Sequence, residues 1–258
     1  MTFEEAKTFV SATGNVSRLG LERMEELLRL LGNPEQHLNF VHVAGTNGKG
    51  SICAMTSAVL CAAGYKVGLY TSPHLFRINE RIKINGEEIS DADFAALAGA
   101  IAPSVEKMED KPTEFERITA MALLHFMRQG CDIVVLEVGL GGRYDATNVI
   151  SAPEVSVIAS IGLDHTDRLG DSVEKIAFEK GGIIKNGRPT VLYHQSEGVE
   201  EVIKNICSSL NSELHISMPS TLHACSLDGQ DFSYKTWKNV RTSLIGTHQS
   251  NNAAVVLE

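Results

Sequence analysis

Gly45-Thr46-Asn47-Gly48-Lys49-Gly50-Ser51 sets three glycines and a lysine between the apolar run Asn39–Ala44 and a stretch rich in Ala, Met, Leu and Cys from Ser51 to Ala63, closed by Gly64. A short apolar strand that enters a helix through such a turn aims successive backbone N–H groups at one point. The helix N-terminus adds its dipole, and the lysine adds a mobile cation. The segment reads as the nucleotide-binding start of an α/β sheet. It departs from the usual Walker pattern, because the first glycine would fall at Val43 and Gly50 separates Lys49 from the hydroxyl of Ser51. A glycine-rich turn that happens to carry a lysine is the competing interpretation; the flanking strand and helix favour phosphate binding.

The rest of the chain agrees with an α/β fold. Further strands are expected at Lys66–Thr71, Asp132–Val138, Val155–Ile161 and Thr190–Tyr193, several of them continuous apolar runs. Such runs imply burial on both faces, hence a mainly parallel central sheet flanked by helices. Leu21–Leu31 has apolar residues at helical spacing and stops at Gly32-Asn33-Pro34. Other helical stretches lie at about Asp91–Ile101, Glu116–Arg128 and Ser172–Phe178. Arg77–Glu88 alternates around Asn85-Gly86 and reads as a surface β-hairpin, a small subsheet outside the core. Asn252–Glu258 is helix-like and breaks off without a cap, which suggests a truncated chain.

Composition narrows the function classes. The 258 residues are 43% hydrophobic and 21% charged, an ordinary globular balance with ample chain for a core. Net charge is −9, so long-range attraction to nucleic acid is not expected, and an anionic ligand needs local donors. Cys53, Cys61, Cys131, Cys207 and Cys225 form no CxxC pair and read as reduced packing residues. Met1–Val10 carries Glu4, Glu5 and Lys7 where a leader needs an apolar core, and no apolar run approaches about 20 residues. A cytoplasmic location with no membrane partner is the expectation.

In parallel sheets ligands bind beyond the carboxyl ends of the strands. The glycine loop, Thr71-Ser72-Pro73-His74, Glu137 before Gly139-Leu140-Gly141-Gly142-Arg143, and Asp164-His165 each follow a strand. Ser72, Glu137 and His165 are candidate Mg²⁺ ligands beside a triphosphate, with the imidazole the less typical member. Singly, each has a plain structural alternative: a turn cap, a buried ion-pair partner, a loop histidine. Their joint placement favours the metal. Lys180, in Phe178-Glu179-Lys180-Gly181-Gly182, acquires no role from spacing alone.

Taken together, Ala44–Ser51, Ser72-Pro73-His74-Leu75, Glu80-Arg81-Ile82, Leu136–Arg143 with Asp145-Ala146-Thr147-Asn148, Leu163-Asp164-His165-Thr166 and Glu179-Lys180-Gly181-Gly182-Ile183 resemble the folylpolyglutamate synthase and dihydrofolate synthase branch of the Mur ligases. The motifs run in order across nearly the whole chain. The resemblance implies a P-loop ATPase domain of the Mur central-domain type spanning residues 1–258. It implies an ATP-dependent ligase that joins L-glutamate to a folate or dihydropteroate carboxylate through an acyl phosphate. It further implies that Gly45, Thr46, Asn47, Gly48, Lys49, Gly50 and Ser51 bind ATP and that Asn252 contacts adenine. Ser72 and Glu137 would hold one Mg²⁺ and His165 a second. Lys180 falls where the family carries a carbamylated lysine, and with Lys49 and His165 it would be catalytic. Thr113, Asp145 and the loop ahead of Leu19-Gly20-Leu21 would face the pterin. Tyr144 and Gly181 depart mildly from the family pattern. A C-terminal Rossmann-like domain that supplies glutamate-site residues would be absent from this chain and a partner in cis. A non-catalytic nucleotide-binding fragment and a muropeptide-type Mur ligase are the alternatives.

Overall fold

The computed structural model describes residues 1–12, 18 and 20–258. Among these, the helices are α1 (Phe3–Ser11), α2 (Glu22–Leu30), α3 (Lys49–Ala62), α4 (Asp91–Lys107), α5 (Glu114–Arg128), α6 (Thr166–Leu169), α7 (Val173–Lys180), α8 (Glu197–Ser209) and α9 (His248–Leu257). The strands are β1 (Phe40–Ala44), β2 (Val67–Tyr70), β3 (Ile82–Ile84), β4 (Glu87–Glu88), β5 (Ile133–Glu137), β6 (Val155–Ile158), β7 (Thr190–Leu192), β8 (Leu214–Ile216), β9 (Thr221–Ser226), β10 (Gly229–Tyr234) and β11 (Trp237–Thr242). The chain divides into two compact units, one of Met1–Phe40 and Ser57–Ser151, the other of Val41–Thr56 and Ala152–Glu258.

In the first unit the strand order is β4-β3-β2-β5, with β2 and β5 parallel and β3 antiparallel to both neighbours. Its core gathers Met24, Leu27 and Leu28 of α2, Phe94, Leu97 and Ile101 of α4, and Val134 and Leu136 of β5. Helix α5 is buried without interruption from Glu116 to Phe126, so its polar residues must be paired: Tyr70 and Thr119 share a hydroxyl hydrogen bond of 2.9 Å. The Asn85-Gly86 hairpin forms, and the structure corrects its placement. Strand β3 pairs with β2, and Ile82 is fully buried, so the hairpin extends the main sheet. Helix α4 runs six residues beyond the expected Ile101, through Pro103. Buried Ile101 and Val105 hold both sides of the interruption to the core.

In the second unit β1-β6-β7-β8 are all parallel. The small antiparallel sheet is β9-β10-β11. Phe232 and Tyr234 of β10 pack on Ala253 and Ala254 of α9, and Gln230 Nε2 donates to the Leu244 and Gly246 carbonyls at 2.7 Å each. This sheet fixes the approach of α9 to the glycine loop. All five cysteines are free; Cys53, Cys131 and Cys207 are buried packing residues, Cys61 is half-buried, and Cys225, on strand β9, is exposed. Among the described residues, no helix is long and apolar enough to cross a membrane.

Candidate functional site

The glycine loop lies in the second unit, where β1 ends at Ala44 and α3 begins at Lys49. Gly45 has φ +155°, and a Cβ there would fall 2.6 Å from the Cβ of Ala159, so only glycine brings the loop this close to the exit of β6. The Thr46 and Asn47 N–H groups donate to the Ser160 carbonyl at 2.8 and 3.1 Å. The Thr46 hydroxyl bonds to both the carbonyl and the N–H of Gly162, at 3.1 and 3.2 Å. The first half of the loop is therefore zipped to residues 160–162. The amides of Gly48, Lys49, Gly50 and Ser51 remain to form the helix N-terminus, where an anion is bound best.

Lys49 Nζ donates to the carbonyls of Gly45 and Thr46 at 3.0 and 3.3 Å. Lys180, buried at the end of α7, donates to the same Gly45 carbonyl at 2.9 Å. Two ammonium groups thus converge on one backbone oxygen at the loop. Asn252 of α9 is buried, its Nδ2 donating to Gln249 Oε1 at 2.9 Å. A Cβ on Gly48 would meet its Oδ1 at 2.7 Å. His165 is exposed, has φ +47° at the head of α6, and its Nε2 lies 3.6 Å from Asp164 Oδ2.

The first unit holds the other candidates. Glu137, buried at the carboxyl end of β5, accepts the Ser72 N–H at 3.0 Å, so the Ser72 side chain and the Glu137 carboxylate belong to one spot. Mg²⁺ takes oxygen donors and retains waters, and a hydroxyl beside a buried carboxylate is a donor set that suits it. Among the described residues, no three His, Cys, Asp or Glu side chains cluster as a metal site.

Asp145 is buried and holds the loop after β5. Its carboxylate accepts from the Gly139 and Leu140 N–H groups at 3.1 and 2.8 Å, from the Thr147 N–H at 2.9 Å, and from the Thr147 hydroxyl at 2.5 Å. Burial raises its pKa above the ordinary carboxylate value, against the pull of these donors. Thr113 caps α5: its hydroxyl accepts the Glu116 N–H at 3.3 Å, and Glu116 in turn accepts the Thr113 N–H at 2.7 Å. Both residues thus have local structural duties. The loop ahead of Leu19 lies outside the described residues.

Sequence reasoning missed Ser160, Gly162 and Gln195. All three touch the glycine loop or its support through backbone groups or a single amide, which leave no residue pattern to read.

Fold and loop together define a P-loop α/β domain, and the comparison with known proteins makes this specific: residues 43–258 match the Mur ligase middle domain, and the chain belongs to that family. It is 44% identical over 253 residues to the dihydrofolate synthase/folylpolyglutamate synthase of Bacillus subtilis, covering 92% of this chain and 57% of that protein. Among solved structures it is similar to an FPGS–AMPPCP–folate complex, with TM-score 0.94, 35% identity, and coverage of 100% of this chain and 66% of that one. It is also similar to Mycobacterium tuberculosis folylpolyglutamate synthase complexed with ADP, with TM-score 0.90, 32% identity, and coverage of 99% and 60%. The chain thus spans roughly half to two-thirds of the length of these relatives.

Proposed function

We propose that this chain is the nucleotide-binding part of an ATP-dependent ligase that joins L-glutamate to the carboxylate of a folate or a dihydropteroate. The observation that carries the reading is the glycine loop at the head of α3, with Lys49 at its centre, in a chain that matches folylpolyglutamate synthases over its whole length.

The chemistry explains why such residues are needed. A carboxylate is a poor electrophile. Transfer of the terminal phosphoryl group of ATP to its oxygen releases ADP and creates an acyl phosphate; the glutamate amine then attacks the acyl carbon, loses a proton, and expels phosphate. Two anions must approach each other in the first step. The Lys49 ammonium and the free amides of Gly48–Ser51 place positive charge where the phosphates lie. Ser72 and Glu137 would hold one Mg²⁺ and His165 a second; when bound, the metal screens phosphate charge. Lys180 as a carbamate would present carboxylate-like oxygens in place of an ammonium. Asn252 would meet the adenine, and Thr113 and Asp145 the pterin side. The glutamate site would belong to a C-terminal domain in cis, and the whole would work in the cytoplasm.

The test is calorimetry with Mg²⁺–AMPPCP on the wild-type chain and on Lys49→Ala. Saturable binding by the wild type that the variant loses supports the reading; equal affinity in both, or no binding by the wild type, overturns it.

A further inference from the structure

Strands β6 and β7 stop pairing at Ile158 and Leu192, yet the backbone beyond β6 carries the Ser160 carbonyl that holds the glycine loop. A backbone segment that has left its sheet needs other partners to keep its position. On one side of residues 159–162 stand Thr46 and Asn47. On the other side a single side chain takes the place of the missing strand. Gln195 Nε2 donates to the Ala159 carbonyl at 3.1 Å, and the Ile161 N–H donates to Gln195 Oε1 at 3.3 Å. The amide thereby repeats the donor–acceptor pair of a strand backbone. This pairing also fixes which way the amide faces, since a carbonyl and an N–H each accept only one of its ends. The Gln195 backbone is anchored in turn, its N–H donating to Glu200 Oε1 at 3.2 Å, and His194 Nδ1 lies 3.1 Å from the same oxygen.

We propose that Gln195 is a positioning residue for the nucleotide loop: by bridging Ala159 and Ile161 it sets where the Ser160 carbonyl stands, and so where Thr46 and Asn47 deliver the glycine turn. The inference rests on the nucleotide-binding reading of Gly45–Ser51. Gln195 touches no nucleotide in this account. It acts on the loop through two backbone segments, and its loss leaves the Ser160 carbonyl free to drift while α3 and Lys49 keep their places.

The experiment compares the wild-type chain with Gln195→Met, which keeps the side-chain reach and removes both hydrogen bonds. Calorimetry with Mg²⁺–AMPPCP is expected to show affinity weakened about tenfold, the scale set by leaving part-buried polar groups unpaired beside a preorganised site. Amide hydrogen exchange is expected to quicken at Thr46 and Asn47, which the substituted side chain does not touch. A lower unfolding midpoint with affinity and Thr46/Asn47 exchange unchanged means a merely structural glutamine and overturns the proposal. If the wild type fails to bind, the nucleotide reading itself is lost and this inference with it; if the wild type binds and the variant binds equally, only this inference falls. Should Gln195→Met fail to fold, the wild-type side-chain amide of Gln195 is followed by NMR during nucleotide addition. Shifted resonances support the link, and unmoved ones overturn it.

Discussion

Lys49 and Lys180 place their ammonium groups on the same carbonyl, that of Gly45, at 3.0 and 2.9 Å. Two like charges this close repel, and each also satisfies the oxygen that the other satisfies. Replacing either lysine by methionine therefore removes one donor but relieves the repulsion, and the carbonyl keeps an ammonium partner. Each single variant is expected to change unfolding free energy by less than about 1 kcal/mol, and the double variant to lose about 1–2 kcal/mol more than the sum. Denaturant titration of the four proteins checks this; strict additivity would remove the shared-carbonyl account. Nucleotide affinity should fall in Lys49→Met whether or not Lys180 is present.

Gly48 is where α9 presses on the loop. Its φ is +84°, and an added Cβ would meet Asn252 Oδ1 at 2.7 Å. Gly48→Ala therefore combines backbone strain with a clash against a buried side chain, and about 1–3 kcal/mol of stability should be lost along with nucleotide affinity. Adding Asn252→Ala should return the steric part but not the strain. Thermal unfolding of the single and double variants separates the two: full recovery would mean that the backbone angle costs nothing.

Much of this arrangement is written in residue types, and some is not. The strand–loop–helix unit is legible because only glycines allow the close approach of Gly45 to Ala159, and because both flanking elements are apolar. Helix α1 goes unread from apolar spacing, although its start carries a signal. Thr2-Phe3-Glu4-Glu5 is a capping box, and both of its hydrogen bonds are made. Strand β9 is not legible, since every residue from Thr221 to Ser226 is exposed and no apolar alternation marks a buried face. Neither is the clamp on residues 159–162, because the loop is held through carbonyl and N–H groups that every residue possesses. The side chains of Ser72, Glu137 and Lys180 could be named in advance; the partners that orient them became visible only in the fold.

Arg23 and Glu116 form a two-pronged ion pair in the first unit, Nε to Oε2 at 3.1 Å and Nη2 to Oε1 at 2.9 Å, with both side chains buried. Glu116 beside it raises the Arg23 guanidinium's affinity for its proton. Because Glu116 also receives the Thr113 N–H, removing it takes away a helix cap and the buried partner of Arg23, leaving the guanidinium only Asp110 at 3.5 Å and the Arg18 carbonyl at 2.9 Å. Arg23→Met or Glu116→Leu alone should cost about 3–5 kcal/mol, while the double variant should cost less than either, since no unpaired charge remains. Urea midpoints of the three variants decide it. A double variant that loses the sum of the two would show that the pair contributes by something other than mutual neutralisation.

His42, in the middle of β1 and fully buried, supplies the pH dependence. Burial, reinforced by the nearby Lys185 charge, pushes its imidazole down to about 3. In the unfolded chain an imidazole titrates near 6.5. Between these values the unfolded state holds a proton that the folded state refuses, so stability rises with pH and is lost as pH falls below about 6.5. The slope from this one group reaches at most about 1.4 kcal/mol per pH unit. Urea unfolding from pH 7 to pH 4 should therefore show a steeper acid decline in the wild type than in His42→Leu, whose side chain cannot charge. The difference between the two curves cancels the other titrating groups. Parallel curves would mean that His42 takes up its proton within the folded protein, and that β1 opens to water at that position.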